Sequence, residues 1–172
     1  MLELKGNGFI LREWEINDAP WLQKNANNYK ISDFLLDQFP SPYTLEDANN
    51  WIALNLNQEP VLNFAIVIGG KVSGVIGIVP RTDVYRLSPL LGYWLAEDYW
   101  GKGIMTEAIK IFTNYCFKEL DYIRIQANVL GNNPASMRVL EKAGFKLEGV
   151  LRNAMVKNDV ILNEHIYGLC KA

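Results

Sequence analysis

The stretch YWLAEDYWGKGIMTEA, Tyr93 to Ala108, decides the fold. Its first residues end a strand-like run, LSPLLGYWLAE (87–97). Beyond the glycine pair, Ile104, Met105, Ala108, Ile109, Ile111, Phe112, Tyr115 and Cys116 recur at helical spacing and share one face. A helix start leaves backbone N–H groups unpaired, and the helix dipole favours an anion there. Glycines just ahead of it let a phosphate approach the main chain. WGKGIMTEA therefore reads either as a phosphate cradle or as a tight strand-to-helix turn, and the dipeptide by itself favours the turn. Two nucleotide motifs are excluded. Thr106 stands where a third Rossmann glycine would, and no GxxxxGK[ST] occurs.

Working outward, GFILREW (8–14) reads as a first strand, and Asn17 and Asp18 sit where an N-cap would open a short helix through about Tyr29. Thr44, with Asp47 three residues on, approximates a capping box for a helix carrying Leu45, Ala48, Trp51, Ile52 and Asn55. LNFAIVIGG and KVSGVIGIVPR meet at Gly69-Gly70, a hairpin signal, and their near-continuous hydrophobicity predicts strands covered on both faces. Downstream of the quoted stretch, YIRIQANVL is a strand. Asn133 suits an N-cap, Pro134 the first turn and Gly144 the helix stop. FKLEGVLRNAMV and VILNEHIYGLCK close the chain as two strands around Lys157-Asn158-Asp159. The order is α+β, with helices on both faces of a sheet, and no linker or repeat divides residues 1–172, so a single domain is expected.

Composition narrows the function classes. Seventeen Lys and Arg against nineteen Asp and Glu, net charge −2, give no electrostatic basis for nucleic acid as a partner. The apolar runs are too short for a membrane span and the N-terminus has no signal-peptide core, which predicts a cytoplasmic protein. Cys116 and Cys170 lie far apart in apolar contexts and read as reduced thiols of the core.

Three blocks in this order, FPSPYTLEDANNWI, GYWLAEDYWGKGIMTEA and NNPASMRVLEKAGFKLEGVLR, resemble the GNAT superfamily of acetyl-CoA-dependent N-acetyltransferases, in its RimJ/RimL-like branch. The resemblance covers nearly the whole chain. It implies a mixed, mostly antiparallel central sheet of six to seven strands, acetyl-CoA as co-substrate, and no metal. In that family the pyrophosphate lies on a loop written Gln/Arg-x-x-Gly-x-Gly/Ala. Trp100, Gly103 and Met105 hold those places here, so only Gly103 meets the pattern. Because main-chain N–H groups do the binding, the resemblance assigns the pyrophosphate to Lys102, Gly103, Ile104, Met105, Thr106 and Glu107. It assigns the pantetheine arm to the main chain of Trp94, Leu95 and Ala96, with Asn133 and, more weakly, Asn128 as further contacts.

The chemistry needs a neutral amine, an N–H donor for the developing oxyanion and a proton for the leaving thiolate. Many GNAT enzymes give that proton from a tyrosine whose place is Leu140 here. The resemblance offers Ser136, one turn earlier on the same helix face, as the acid. The usual carboxylate places hold Leu90 and Met155. Asp83, Tyr93, Glu164, His165 or a water chain remain open as routes for the amine proton. The acceptor is a primary amine, either a peptide α-amine or a small amine, and the stretch 31–43 is a candidate wall of its cleft. An acyl-CoA sensor or scaffold without turnover is the competing reading, and the resemblance allows a homodimer.

Overall fold

The computed structural model describes residues 1–172. Hydrogen bonding orders eight strands as β1-β2-β3-β4-β5-β6-β8-β7, mostly antiparallel. The chain forms two compact units: residues 1–77 with 93–104, and residues 78–92 with 105–172.

The first unit begins with β1 (Glu3–Lys5) and β2 (Ile10–Arg12), then α1 (Ala19–Ala26), α2 (Tyr29–Ser32) and α3 (Leu45–Asn55). β3 (Asn63–Ile68) and β4 (Lys71–Val79) follow. Strand β1 is the one beyond the expected six to seven; it pairs three residues with β2. The Gly69-Gly70 hairpin forms as expected. Both glycines have positive φ, +56° and +76°, the geometry a two-residue turn of this hand requires. Residues 72–78 of β4 are all buried, as a strand covered on both faces must be. The Thr44 and Asp47 side chains close a reciprocal capping box at the start of α3. The core of this unit packs Trp14, Leu22, Tyr43, Ile52, Val67 and Val72, with the Trp14 and Trp51 rings edge to face at 6.2 Å.

Asp18 does not cap α1 as expected, and the helix stops at Ala26 instead of Tyr29. Its carboxylate is claimed by Arg12, which donates from Nη1 and Nη2 at 2.8 and 2.7 Å, and by the Glu15 N–H at 2.9 Å. The pair is buried, and the Asp18 bond is the main cause that raises the Arg12 pKa. A buried guanidinium without its carboxylate would be costly, so the pair outcompetes the cap.

The second unit holds β5 (Leu90–Leu95) up to Gly92, α4 (Ile104–Glu119) from Met105, β6 (Arg124–Leu130), α5 (Pro134–Lys142), β7 (Lys146–Lys157) and β8 (Val160–Cys170). Met105, Ala108, Ile109, Phe112, Tyr115 and Cys116 form the buried face of α4 expected from their spacing, while Ile104 and Ile111 are half-buried. β8 pairs antiparallel with both β6 and β7. The Tyr167 hydroxyl donates to Glu141 Oε1 at 3.3 Å, tying α5 to β8. The cysteines are unpaired, but only Cys116 is a core thiol, its pKa pushed up to about 12 by burial. Cys170 is exposed at the end of β8. No helix is long and apolar enough to cross a membrane.

Candidate functional site

Strand β5 is held differently at its two ends. In the second unit its start pairs with β6 in parallel, but the register is one pair long, Leu90 with Gln126, fixed by the Gln126 N–H donating to the Pro89 carbonyl at 3.1 Å. In the first unit its end lies along β4, where the Ala96 N–H donates to the Ser73 carbonyl at 2.7 Å. Because Ala96 faces β4, strand alternation turns the N–H and C=O of Leu95 to the opposite edge. The approach of β4 is close: a Cβ on Gly74 would lie 2.4 Å from the Trp94 carbonyl oxygen.

One of those two Leu95 groups is already engaged. The Trp100 indole Nε1–H donates to the Leu95 carbonyl at 2.7 Å, which leaves the N–H as the donor that Leu95 directs away from β4. Trp100 stands where the family pattern has Gln or Arg, and the bond pins the turn to the strand it follows. Nothing in the spacing of Leu95 and Trp100 signals this bond, so sequence reasoning missed it. The Trp94 ring packs edge to face on Phe39 at 6.2 Å. Phe39 thus belongs to the core side of the 31–43 stretch, while Phe34 is exposed.

The glycine turn has a conformational cause. Gly101 and Gly103 take φ of +72° and +78°, and a Cβ built on either would meet nothing within 4 Å. Glycine is therefore required by the backbone, and the space beside it admits a ligand against the main chain. That fits a phosphate cradle ahead of α4, whose sixteen residues give it a full dipole. The Lys102 side chain folds back, donating to the Asp98 carbonyl at 2.8 Å. Glu107 places a carboxylate in the first turn of α4. Ile104, Met105 and Thr106 complete that first turn.

Within the second unit, Asn133 caps α5, its Oδ1 accepting from the Ser136 N–H at 3.2 Å, with Pro134 in the first turn and Gly144 at φ +98° after the helix. Ser136 is half-buried in that first turn. Leu140, on the same helix face, is 0 % exposed, so the place of the usual tyrosine is sealed in the core. Asn128 is engaged at both ends of its side chain: Nδ2 donates to Glu164 Oε1 at 2.7 Å, and Oδ1 accepts from Gln126 Nε2 at 2.9 Å. Met155 pairs with Leu162 in the β7–β8 ribbon. His165, on the same ribbon, buries an Nδ1 with no hydrogen-bond partner. No group of three or more His, Cys, Asp or Glu is arranged to hold a metal ion.

Known proteins agree with this architecture. Residues 9–146 match the family profile of the acetyltransferase (GNAT) domain. The chain is 34% identical over 166 residues to a probable N-acetyltransferase, YjcK, of Bacillus subtilis (strain 168), covering 91% of each. It is 29% identical over 102 residues to the ribosomal-protein-serine acetyltransferase of Escherichia coli (strain K12), covering 56% of this chain and 55% of that one. Among solved structures, RimL, a ribosomal L7/L12 alpha-N-protein acetyltransferase in complex with coenzyme A, superposes with a TM-score of 0.85 at 20% identity, covering 98% of both chains. With its profile match and its full-length relative, the chain belongs to the GNAT family of acetyltransferase enzymes.

Proposed function

We propose that this enzyme transfers the acetyl group of acetyl-CoA to a primary amine, with a peptide α-amine as the acceptor. The observation that carries the reading is the glycine turn, with positive φ at Gly101 and Gly103 and open space beside both. Coenzyme A in the RimL complex and the ribosomal-protein activity named for the Escherichia coli relative support the co-substrate and the peptide acceptor.

Acetyl-CoA supplies a thioester whose carbonyl carbon an amine can attack. Main-chain N–H groups of Lys102 to Glu107 are assigned to its pyrophosphate, and the main chain of Trp94, Leu95 and Ala96 to its pantetheine arm. The Leu95 N–H donates to the thioester oxygen and holds the charge that gathers there as the C–N bond forms. Asn133 adds a side-chain contact to the arm. The Ser136 hydroxyl gives its proton to the sulfur as the C–S bond breaks and takes one back from the water that receives the amine proton. With Leu90 and Met155 at the usual carboxylate places, the amine proton leaves through water, and positioning supplies much of the rate. The homodimer is supported by edge strand β7, where Leu147, Val150, Leu151 and Val156 are all exposed; sedimentation of the purified chain tests it.

The test is a calorimetric titration of acetyl-CoA into the wild type and Gly103→Glu, with NAD as a control ligand. The wild type binds acetyl-CoA and the folded variant does not, because a carboxylate in the turn repels the pyrophosphate. A wild type that ignores acetyl-CoA refutes the reading. The buried Leu140 and the missing carboxylates favour one rival, a sensor that binds without turnover. Release of free thiol with a panel of amines separates the two.

A further inference from the structure

A row of polar side chains runs along one face of β6 and ends on a carboxylate of β8. Arg124 is a bidentate donor to Glu148, from Nη1 at 2.7 Å and from Nη2, and Nη2 also lies 3.5 Å from Gln126 Oε1. Gln126 Nε2 donates to Asn128 Oδ1 at 2.9 Å, and Asn128 Nδ2 donates to Glu164 Oε1 at 2.7 Å. A guanidinium only donates and a carboxylate only accepts, so the two amides between them are held in one orientation. The carboxylates of the row are therefore unlike. Arg124 holds both oxygens of Glu148, whereas Glu164 is held through Oε1 alone, by a neutral amide, and keeps Oε2 for another donor.

Glu164 and Ser136 are both set from the end of β6. Glu164 pairs with Leu130, the last residue of that strand, whose carbonyl accepts from the Asn133 N–H at 2.9 Å. Asn133 in turn caps α5 on the Ser136 N–H. The two side chains lie on opposite faces of the strands. Tyr167 reaches Glu141 of α5, and strand alternation turns Glu164, three residues earlier, to the other face beside Asn128. Beyond Gln126, β6 has no pair on its β5 side, so this end of the strand keeps an unpaired edge. An amine attacks a thioester carbon from one side while the sulfur leaves from another. A proton donor on α5 and a proton acceptor on the face away from α5 suit that sequence.

We propose that Glu164 draws the first proton from the acceptor's ammonium through Oε2, with Asn128 as its positioning residue. The inference deepens the transfer reading and rests on it for the amine and the thioester. An ammonium sheds two protons on becoming an amide. The first passes from nitrogen to Glu164 and on to solvent, which frees the lone pair for attack and restores the carboxylate. The second leaves to water as the C–N bond forms. The surroundings keep the charge of this face constant near neutral pH. Arg124 is raised and Glu148 lowered by their mutual bond, Leu151 stands opposite Glu164 on β7, and His165 points to the α5 face.

The test is thiol release from acetyl-CoA with trialanine amide as acceptor, in the wild type, Glu164→Gln and Asn128→Ala, from about pH 7 to about pH 9. Asp159→Asn, at the turn of the same ribbon, controls for loss of one charge. Glu164→Gln keeps the oxygen that Asn128 bonds and should lower kcat about a hundredfold near pH 7. That deficit should shrink below about tenfold near pH 9, because an α-amine of pKa about 8 then arrives neutral. Asn128→Ala leaves the carboxylate unanchored and should lose about five- to tenfold in kcat. Asp159→Asn should match the wild type, and all four proteins should bind acetyl-CoA alike by calorimetry and melt together. A Glu164→Gln protein with wild-type kcat, a deficit equal at every pH, or one shared by Asp159→Asn overturns the proposal and leaves the transfer reading standing. A wild type that binds acetyl-CoA yet releases no thiol overturns the transfer reading, and the role of Glu164 with it.

Discussion

Gly74→Ala addresses the strand assigned to the pantetheine arm without substituting any residue assigned to bind. The added methyl would sit 2.4 Å from the Trp94 carbonyl oxygen and 3.2 Å from the Leu95 Cα, where ordinary contact begins at 3.4 Å. Both neighbours are backbone, so no flexible side chain can yield, and β4 and the end of β5 must part by about 1 Å. Overpacking of this kind costs about 1–3 kcal/mol. At about 2–4 °C per kcal/mol for a chain of this size, the melting temperature falls by several degrees. A shift of about 1 Å also takes a 2.9 Å N–H···O contact outside the hydrogen-bond range, so the Leu95 N–H loses about 1 kcal/mol of net bonding and the acetyl-CoA Kd rises about five- to tenfold. Calorimetry gives the Kd and differential scanning the stability. Gly92→Ala, on the same strand with nothing within 4 Å, is the control and should change neither by much. A Gly74→Ala protein that melts lower yet binds acetyl-CoA like the wild type would refute the role of this strand. An unchanged melting temperature would refute the steric argument itself.

Three further outcomes are expected. Trp100→Phe removes the donor to the Leu95 carbonyl at 2.7 Å while keeping most of the ring, so the acetyl-CoA KM should rise several-fold with little change in acceptor KM; steady-state kinetics decides it. Asp18→Asn takes the bidentate carboxylate from buried Arg12, leaving it only Glu15 at 3.6 Å, and should lower stability by about 3 kcal/mol in urea melts, an effect that a surface ion pair would not produce. Burial raises the Cys116 thiol from 9.0 to about 12, so the unfolded chain loses that proton first as pH rises. The folded state should therefore lose stability above about pH 9, with a shallower slope in Cys116→Ala, and at pH 8 a thiol reagent should label Cys170 alone until the protein is unfolded.

Features set by neighbours in sequence were legible without coordinates. The Gly69-Gly70 hairpin, the Thr44–Asp47 box, the Asn133 cap and the buried face of α4 each depend on residues within a few positions of one another. What escaped reading depends on distant partners or on very short elements. Strand β1 is three residues long and carries no period to count. Asp18 has the chemistry of a cap, and only the arrival of Arg12 from β2 diverts it. The Glu97 carboxylate is of the same kind: Asn28 donates to it and Lys30 pairs with its charge, from 69 and 67 positions away. The glycine pair was legible as a turn, but its positive φ values and open surroundings had to be seen.

The division of the chain into two discontinuous units also bears on its synthesis. The first unit takes residues 1–77 and then 93–104, with a piece of the second unit between them. A ribosome therefore delivers β1 to β4 with α1, α2 and α3 well before the segment Tyr93–Ile104 that completes their unit. At about 5–20 residues per second the interval lasts from one to several seconds, long compared with the formation of a hairpin or helix. During that time the edge of β4 that will receive Ala96 has no strand to bond. The last segment to arrive carries Trp94, Leu95, Trp100 and both glycines of the turn. A nascent chain stalled before residue 93 can thus hold most of the first unit's core and none of its candidate cofactor strand.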